Sequence, residues 1–117
     1  MKVLIVDDSK AMRMLVVRAL RKAGLGTIDV AEADDGKEGL ELIRSVGPDL
    51  VLSDWNMPGM PGPVFVAALR AEWPNLRFGF VTSEGTDEMR KRASELGAAF
   101  LIAKPFAAED FRRALGS

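Results

Sequence analysis

Short, mostly apolar runs alternate along this chain with segments of helical spacing, and this alternation limits the fold more than any other feature. Val3 to Val6 is apolar throughout, as a strand covered on both faces of a parallel sheet must be. Ser9 then offers a helix N-cap, and Met12, Leu15, Val16, Ala19 and Leu20 recur at helical spacing until Gly24 ends the pattern. Thr27 to Ala31 reads as a second strand. Asp34 or Asp35 can cap a helix running to about Ser45, with Leu40, Leu42 and Ile43 apolar and Gly47-Pro48 as its stop. Leu50 to Ser53 is the third strand. A loop dense in Pro and Gly follows, from Asp54 to Pro63, and Pro63 suits the first turn of a helix, where its missing N–H costs nothing. That helix carries Phe65, Leu69 and Trp73 at four-residue spacing and stops at Pro74. Leu76 to Val81 is strand four, Thr86 to Leu96 a charged helix ending at Gly97, and Phe100 to Ala103 strand five. Phe106, Phe111 and Leu115 fit a short last helix.

Strand and helix alternate without a linker, repeat or low-complexity stretch, which predicts one doubly wound α/β domain over residues 1–117 with right-handed crossovers. A chain of 117 residues, 48% apolar and 28% charged, is long enough to bury one core without staples. With no cysteine there is neither a disulfide framework nor thiolate chemistry. The longest apolar runs are too short to span a bilayer, and acid follows the N-terminus almost at once, unlike a secretory leader. A cytoplasmic location is expected. A net charge of −1 gives no reason to expect nucleic acid as a direct partner. Lys10, Arg13, Arg18, Arg21 and Lys22 spread around the first helix and read as a solvated face. Histidine and tyrosine are absent, so any covalent or acid–base chemistry runs on carboxylates, hydroxyls and lysine.

In an open α/β sheet the site lies at the C-terminal ends of the strands. Just past four of the strands come Asp7-Asp8, Asp54, Thr82 and Lys104. Each has an ordinary explanation when taken singly: an Asp caps a helix, a Thr ends a strand, a Lys is solvated. All of them at successive strand ends make coincidence a poor account. Three crowded carboxylates repel, so one has a raised pKa unless a cation neutralises them. Hard oxygens without His or Cys select Mg2+, Ca2+ or Mn2+ over Zn2+. Mg2+ usually takes one or two carboxylates together with water and phosphate oxygens, so an open site of this kind implies a phosphate ligand. A carboxylate attacking phosphorus gives an acyl phosphate, and a metal, an ammonium and a hydroxyl are the groups that stabilise the transferred phosphoryl.

The strings Val6-Asp7-Asp8-Ser9, Ser53-Asp54-Trp55-Asn56-Met57-Pro58, Val81-Thr82-Ser83 and Lys104-Pro105-Phe106 extend this pattern over essentially the whole chain. In that order and spacing the chain resembles response-regulator receiver domains, particularly the stand-alone chemotaxis-regulator type. The resemblance implies a flavodoxin-like sheet of order 2-1-3-4-5. It makes Asp54 the phosphoacceptor and assigns Mg2+, or Mn2+ in its place, to Asp8, Asp54 and the Asn56 backbone carbonyl, with Asp7 acting through water. Thr82 would move to bond the phosphoryl oxygen and Lys104 would pair with it. Asn56 and Glu84 would tune a phosphoryl lifetime of seconds or minutes, and the Lys104-Pro105 bond is expected to be cis. The implied donor is a histidine kinase or a histidine phosphotransfer protein docking on the first helix. Met14 and Arg13 are candidates for that interface, a partly buried Met being the plainer alternative. The implied target is a downstream protein bound by a monomer on its helix 4–strand 5–helix 5 face, which includes Lys91, Leu101 and Arg112. No membrane partner is implied.

The chain departs from such domains at two places. Leu101 stands where they usually carry the Tyr or Phe whose rotamer tracks phosphorylation. Phe100 is one residue earlier and so on the opposite face of the strand, in a core role. A mobile Leu101 or a backbone shift would then carry the signal. Pro61-Gly62-Pro63 replaces the common Asp-Gly, which stiffens the loop beside Asp54 or serves only as a connector. Other readings stay open: a receiver from a longer kinase or transcription regulator, a Mg2+-dependent phosphohydrolase with an Asp nucleophile, or a phosphorylation-independent adaptor. Hydrolases of the haloacid-dehalogenase type carry Asp-x-Asp after the first strand, whereas Asp7 and Asp8 are adjacent. Dinucleotide binding is disfavoured, because Gly24-Leu25-Gly26 precedes a strand. Chemotaxis is one pathway among several.

Overall fold

Burial follows the apolar runs and divides each strand between two layers. The computed structural model describes residues 1–116; Ser117, the last residue of the expected domain, lies outside the described residues. The elements are β1 (Lys2–Val6), α1 (Lys10–Lys22), β2 (Asp29–Ala33), α2 (Gly36–Val46), β3 (Leu50–Ser53), α3 (Gly62–Glu72), β4 (Arg77–Thr82), α4 (Asp87–Glu95), β5 (Leu101–Ala103) and α5 (Ala108–Leu115). The strands form one parallel sheet in the order β2-β1-β3-β4-β5, the flavodoxin-like arrangement expected.

Successive strand residues point to opposite faces. Val3 and Ile5 therefore pack with Leu50, Leu52, Val81 and Ile102 against Val16 and Leu20 of α1 and Phe111 of α5. Leu4 and Val6 pack on the other side with Val51, Phe80 and Leu101, under Ile43, Phe65, Leu69 and Met89 of α2, α3 and α4. Phe65, Phe80 and Phe111 are fully buried, and each such side chain removes apolar surface worth about 1.5–3 kcal/mol. Among the described residues no helix is long and apolar enough to cross a membrane.

Local signals place the helix starts. The Ser9, Asp35 and Thr86 side chains accept from the N–H groups of Met12, Glu38 and Met89 at 3.2, 2.8 and 3.2 Å, which satisfies one otherwise unpaired amide in each first turn. Gly47 ends α2 in the left-handed conformation, at φ 65°.

Several expectations move. The second strand lies at Asp29–Ala33 and not Thr27–Ala31, because the ladder is set by β1: Lys2 pairs with Asp29 and Val6 with Ala33. As an edge strand β2 tolerates the polar Asp29 and Glu32. The fourth strand runs one residue later and the fifth begins one residue later than expected. Phe106 precedes α5 instead of belonging to it, meeting Phe111 edge-on at 5.1 Å, the staple that fixes the chain's entry into a helix. On α1, Leu15 is exposed and Arg13, expected on the solvated face, is buried.

Candidate functional site

Parallel strands end at one edge of the sheet, and there the topology gathers residues far apart in the chain. Asp7 and Asp8 follow β1, Asp54 follows β3, Thr82 ends β4 and Lys104 follows β5. Asp7, Asp8 and Asp54 each bring a carboxylate oxygen within 4.8 Å of the others. Asp7 is buried, Asp54 half-buried and Asp8 exposed. Hard oxygen donors with no nitrogen or sulfur among them fit Mg2+, Ca2+ or Mn2+, as the residue types alone indicated.

Lys104 spans the cluster, its Nζ lying 3.4 Å from Asp7 Oδ2 and 3.4 Å from Asp54 Oδ1. Asp54 Oδ1 also accepts the Trp55 N–H at 2.8 Å. Burial pushes the Asp54 carboxyl above the ordinary aspartate range, and repulsion from Asp7 adds to it, against the pull of Lys104 and the Trp55 amide. Asp7 Oδ1 accepts the Ser9 N–H at 2.8 Å, so the residue after the acidic pair both caps α1 and orients Asp7. Thr82 is fully buried, its hydroxyl oxygen accepting the Glu84 N–H at 3.3 Å. Asn56 and Glu84 are exposed at the rim. The Lys104-Pro105 bond is cis, as expected.

The loop after Asp54 is seated by close contact. Gly62 donates to the Trp55 carbonyl at 2.8 Å. A Cβ at Gly62 would run into the Asp54 carbonyl oxygen and stand 2.9 Å from Trp55 Cα, so only glycine lets the start of α3 approach this backbone. The loop thus packs directly on the backbone of Asp54 and Trp55. Leu101 is 8% exposed in the layer with Phe80 and Met89, while Phe100 lies on the other layer and covers Gly79, where its ring fills the space of the missing side chain.

Two features escaped the sequence reading. Trp55 packs tilted against Phe80, with ring centroids 4.6 Å apart and planes at 53°, and Arg92 of α4 lies 5.1 Å over its ring. Arg13 turns inward to the carbonyl of Asp7 and to Glu32 and Asp34, so of the two α1 candidates for a docking surface only Met14 is exposed. A signal for Arg13 was present: it stands three residues before Val16 and seven before Leu20, on the stripe that faces the core.

Residues 3–116 match the family model of the response regulator receiver domain. The chemotaxis protein CheY of Pseudomonas aeruginosa is 39% identical over 93% of this chain and 88% of its own length. Sporulation initiation phosphotransferase F of Bacillus subtilis is 34% identical, over 97% of this chain and 90% of its own. The solved chemotaxis protein CheY4 of Vibrio cholerae superposes with a TM-score of 0.85 at 34% identity, covering 98% of this chain and 95% of that one. With this edge of carboxylates and lysine on this sheet, the chain belongs to the response regulator receiver domain family, whose members are phosphoacceptor switches of two-component signalling and not enzymes that turn over a substrate.

Proposed function

We propose that Asp54 is the phosphoacceptor of this receiver. The observation that carries this is its placement: a half-buried carboxylate at the end of β3, facing Lys104 and sharing one pocket with Asp7 and Asp8. The Lys104 and Trp55 donors both fall on Oδ1. Among the described residues no donor is bonded to Oδ2, which leaves that oxygen open to phosphorus or to a metal ion. A carboxylate oxygen of Asp54 forms a bond to phosphorus as the bond from phosphorus to the donor's imidazole nitrogen breaks, and that nitrogen keeps the electron pair. The product is an acyl phosphate, later cleaved by water.

Asp8, Asp54 and the Asn56 backbone carbonyl are the ligands we assign to Mg2+, or Mn2+ in its place, with Asp7 acting through water; the metal supplies charge neutralisation of the phosphoryl oxygens. Lys104 exchanges its carboxylate partners for a phosphoryl oxygen, and the Thr82 hydroxyl turns toward another. Asn56 and Glu84, exposed at the rim, admit the hydrolytic water and set a lifetime of seconds or minutes.

The donor is a histidine kinase or histidine phosphotransfer protein. An apolar cavity of about 660 Å3 lies beside the pocket between α1 and the segment after β5, lined by Met12, Leu15, Pro105, Phe106 and Ala108, with Arg18 and Lys22 beside them. It suits a donor surface that is apolar with an acidic border. The downstream protein target binds the α4–β5–α5 face of a monomer, where Arg90, Leu101, Asp110 and Arg113 border a more polar hollow. Relatives of similar identity serve chemotaxis and sporulation, so the pathway is not carried over. Cytoplasmic signalling is the setting we infer.

Incubation with Mg2+ and acetyl phosphate tests the reading. The wild type is expected to gain the mass of one phosphoryl group, and Asp54→Ala to gain none. Labelling that survives in Asp54→Ala, or steady release of phosphate from many esters, would overturn it.

A further inference from the structure

Arg13 is a buried charge that the phosphoacceptor chemistry leaves without a role. Its side chain is 9% exposed, and its guanidinium reaches three acceptors from three places. Nη1 donates to the Asp7 carbonyl at 2.5 Å and lies 2.9 Å from Asp34 Oδ1, while Nε donates to Glu32 at 2.9 Å. One side chain thereby joins the end of β1, the edge strand β2 and the turn into α2. The other groups of Asp7 are also engaged: its N–H donates to the Ala33 carbonyl at 3.1 Å, Oδ1 takes the Ser9 amide and Oδ2 faces Lys104.

We propose that Arg13 is a positioning residue for the acidic pocket, fixing the Asp7 carbonyl and through it the Asp7-Asp8 pair in the arrangement that receives Mg2+. This rests on the metal-binding reading above. A guanidinium suits the task because its planar fork can serve several acceptors in fixed directions, which an ammonium cannot. An unneutralised cation so near the carboxylates would compete with the metal for them. Glu32 and Asp34 cancel that charge, so Arg13 orients the pocket without weakening its attraction for a cation. Removing the guanidinium leaves the Asp7 carbonyl without its side-chain donor and sets Glu32 and Asp34 free beside each other.

The test compares Mg2+ affinity, by tryptophan fluorescence and calorimetry, in wild type, Arg13→Ala, Arg13→Lys and Val16→Ala. Val16→Ala destabilises the same buried stripe of α1 without touching Asp7. Arg13→Ala is expected to bind Mg2+ about tenfold more weakly, in the range typical of residues that orient metal ligands. Arg13→Lys loses less, and Val16→Ala keeps the wild-type affinity. In metal-free protein the Ser9 amide, held by Asp7, exchanges faster in Arg13→Ala and not in Val16→Ala. Wild-type affinity in Arg13→Ala, or an equal loss in Val16→Ala, overturns the proposal and leaves the metal site standing. A wild type that binds no Mg2+ removes the metal reading and this inference with it. Should Arg13→Ala not fold, Arg13→Met, which keeps the stem and the packing, takes its place under the same criteria.

Discussion

Helix α1 buries Arg13, Val16, Ala19 and Leu20 within its thirteen residues, whereas α4 buries only Met89 and Ala93 within nine. Both helices lie beside the Asp54 pocket, yet they are held by different means. Helix α1 is pinned by apolar packing and by the buried Arg13 fork. Helix α4 is polar over most of its surface and rests on its Thr86 cap, on Arg92 over the Trp55 ring and on a bond from Arg90 to the Leu101 carbonyl at 3.0 Å. Segments with few buried apolar contacts open at lower free energy than the core. The firmly packed helix carries the Arg13 guanidinium onto the Asp7 carbonyl, while the lightly packed one has fewer buried side chains to hold it. The Trp55 ring, next in sequence to Asp54, touches Phe80 of β4 and Arg92 of α4. Leu101 is aliphatic and packed, and the contacts of Trp55 with Phe80 and Arg92 reach α4 without an aromatic on β5.

Substitutions in the two helices test that contrast. The largest effect is expected from Leu20→Ala, a fully buried side chain of α1. It should cost about 2–5 kcal/mol in urea unfolding, with all amides losing protection together. Met89→Ala should cost about 2 kcal/mol, and hydrogen exchange should show α4 amides losing protection ahead of those in α1. Equal loss in both helices would end the distinction. Thr86→Ala removes a cap worth about 1 kcal/mol and should show the same α4 preference on a smaller scale. Arg92→Gln removes the cation over Trp55, for about 0.5–1 kcal/mol, with a shift of tryptophan emission and little change in α1 exchange.

Asp54→Asn has the opposite sign. The folded-state pKa of Asp54 is raised by burial, so ionisation above that pKa costs the folded state stability. The penalty is absent below the ordinary aspartate range, where the group is protonated folded or unfolded. In metal-free protein Asp54→Asn should therefore stabilise at neutral pH and give no gain in strong acid. Added Mg2+ should shrink the neutral-pH gain by stabilising the wild-type carboxylates. Urea midpoints at the two pH values, with and without Mg2+, check all three statements, and a loss of stability at neutral pH without metal would contradict them.

Much of this molecule was legible before its structure. Apolar runs such as Val3–Val6 and Leu50–Ser53 can be satisfied only when both faces are covered, and caps such as Ser9, Asp35 and Thr86 act over three residues, so they read directly from the chain. The acidic pair, Asp54, Thr82 and Lys104 were legible because parallel topology delivers every strand end to one edge. The edge strand β2 was harder, since it alternates weakly and takes its register from β1. Arg13 was misread because a charge at an apolar position is usually solvated, and its partners Glu32 and Asp34 lie on another element.

Residue type and order by themselves determined the class of fold, the oxygen-only character of the site and the identity of its carboxylates and lysine. Those properties follow from local patterns and from the chemistry of single side chains. Tertiary structure alone decided that Gly62 must lie against the Asp54 backbone, that Trp55 joins Phe80 and Arg92, and that Arg13 ties Asp7 to Glu32 and Asp34. Each depends on distances between segments remote in the chain, and the packing of the two layers sets those distances.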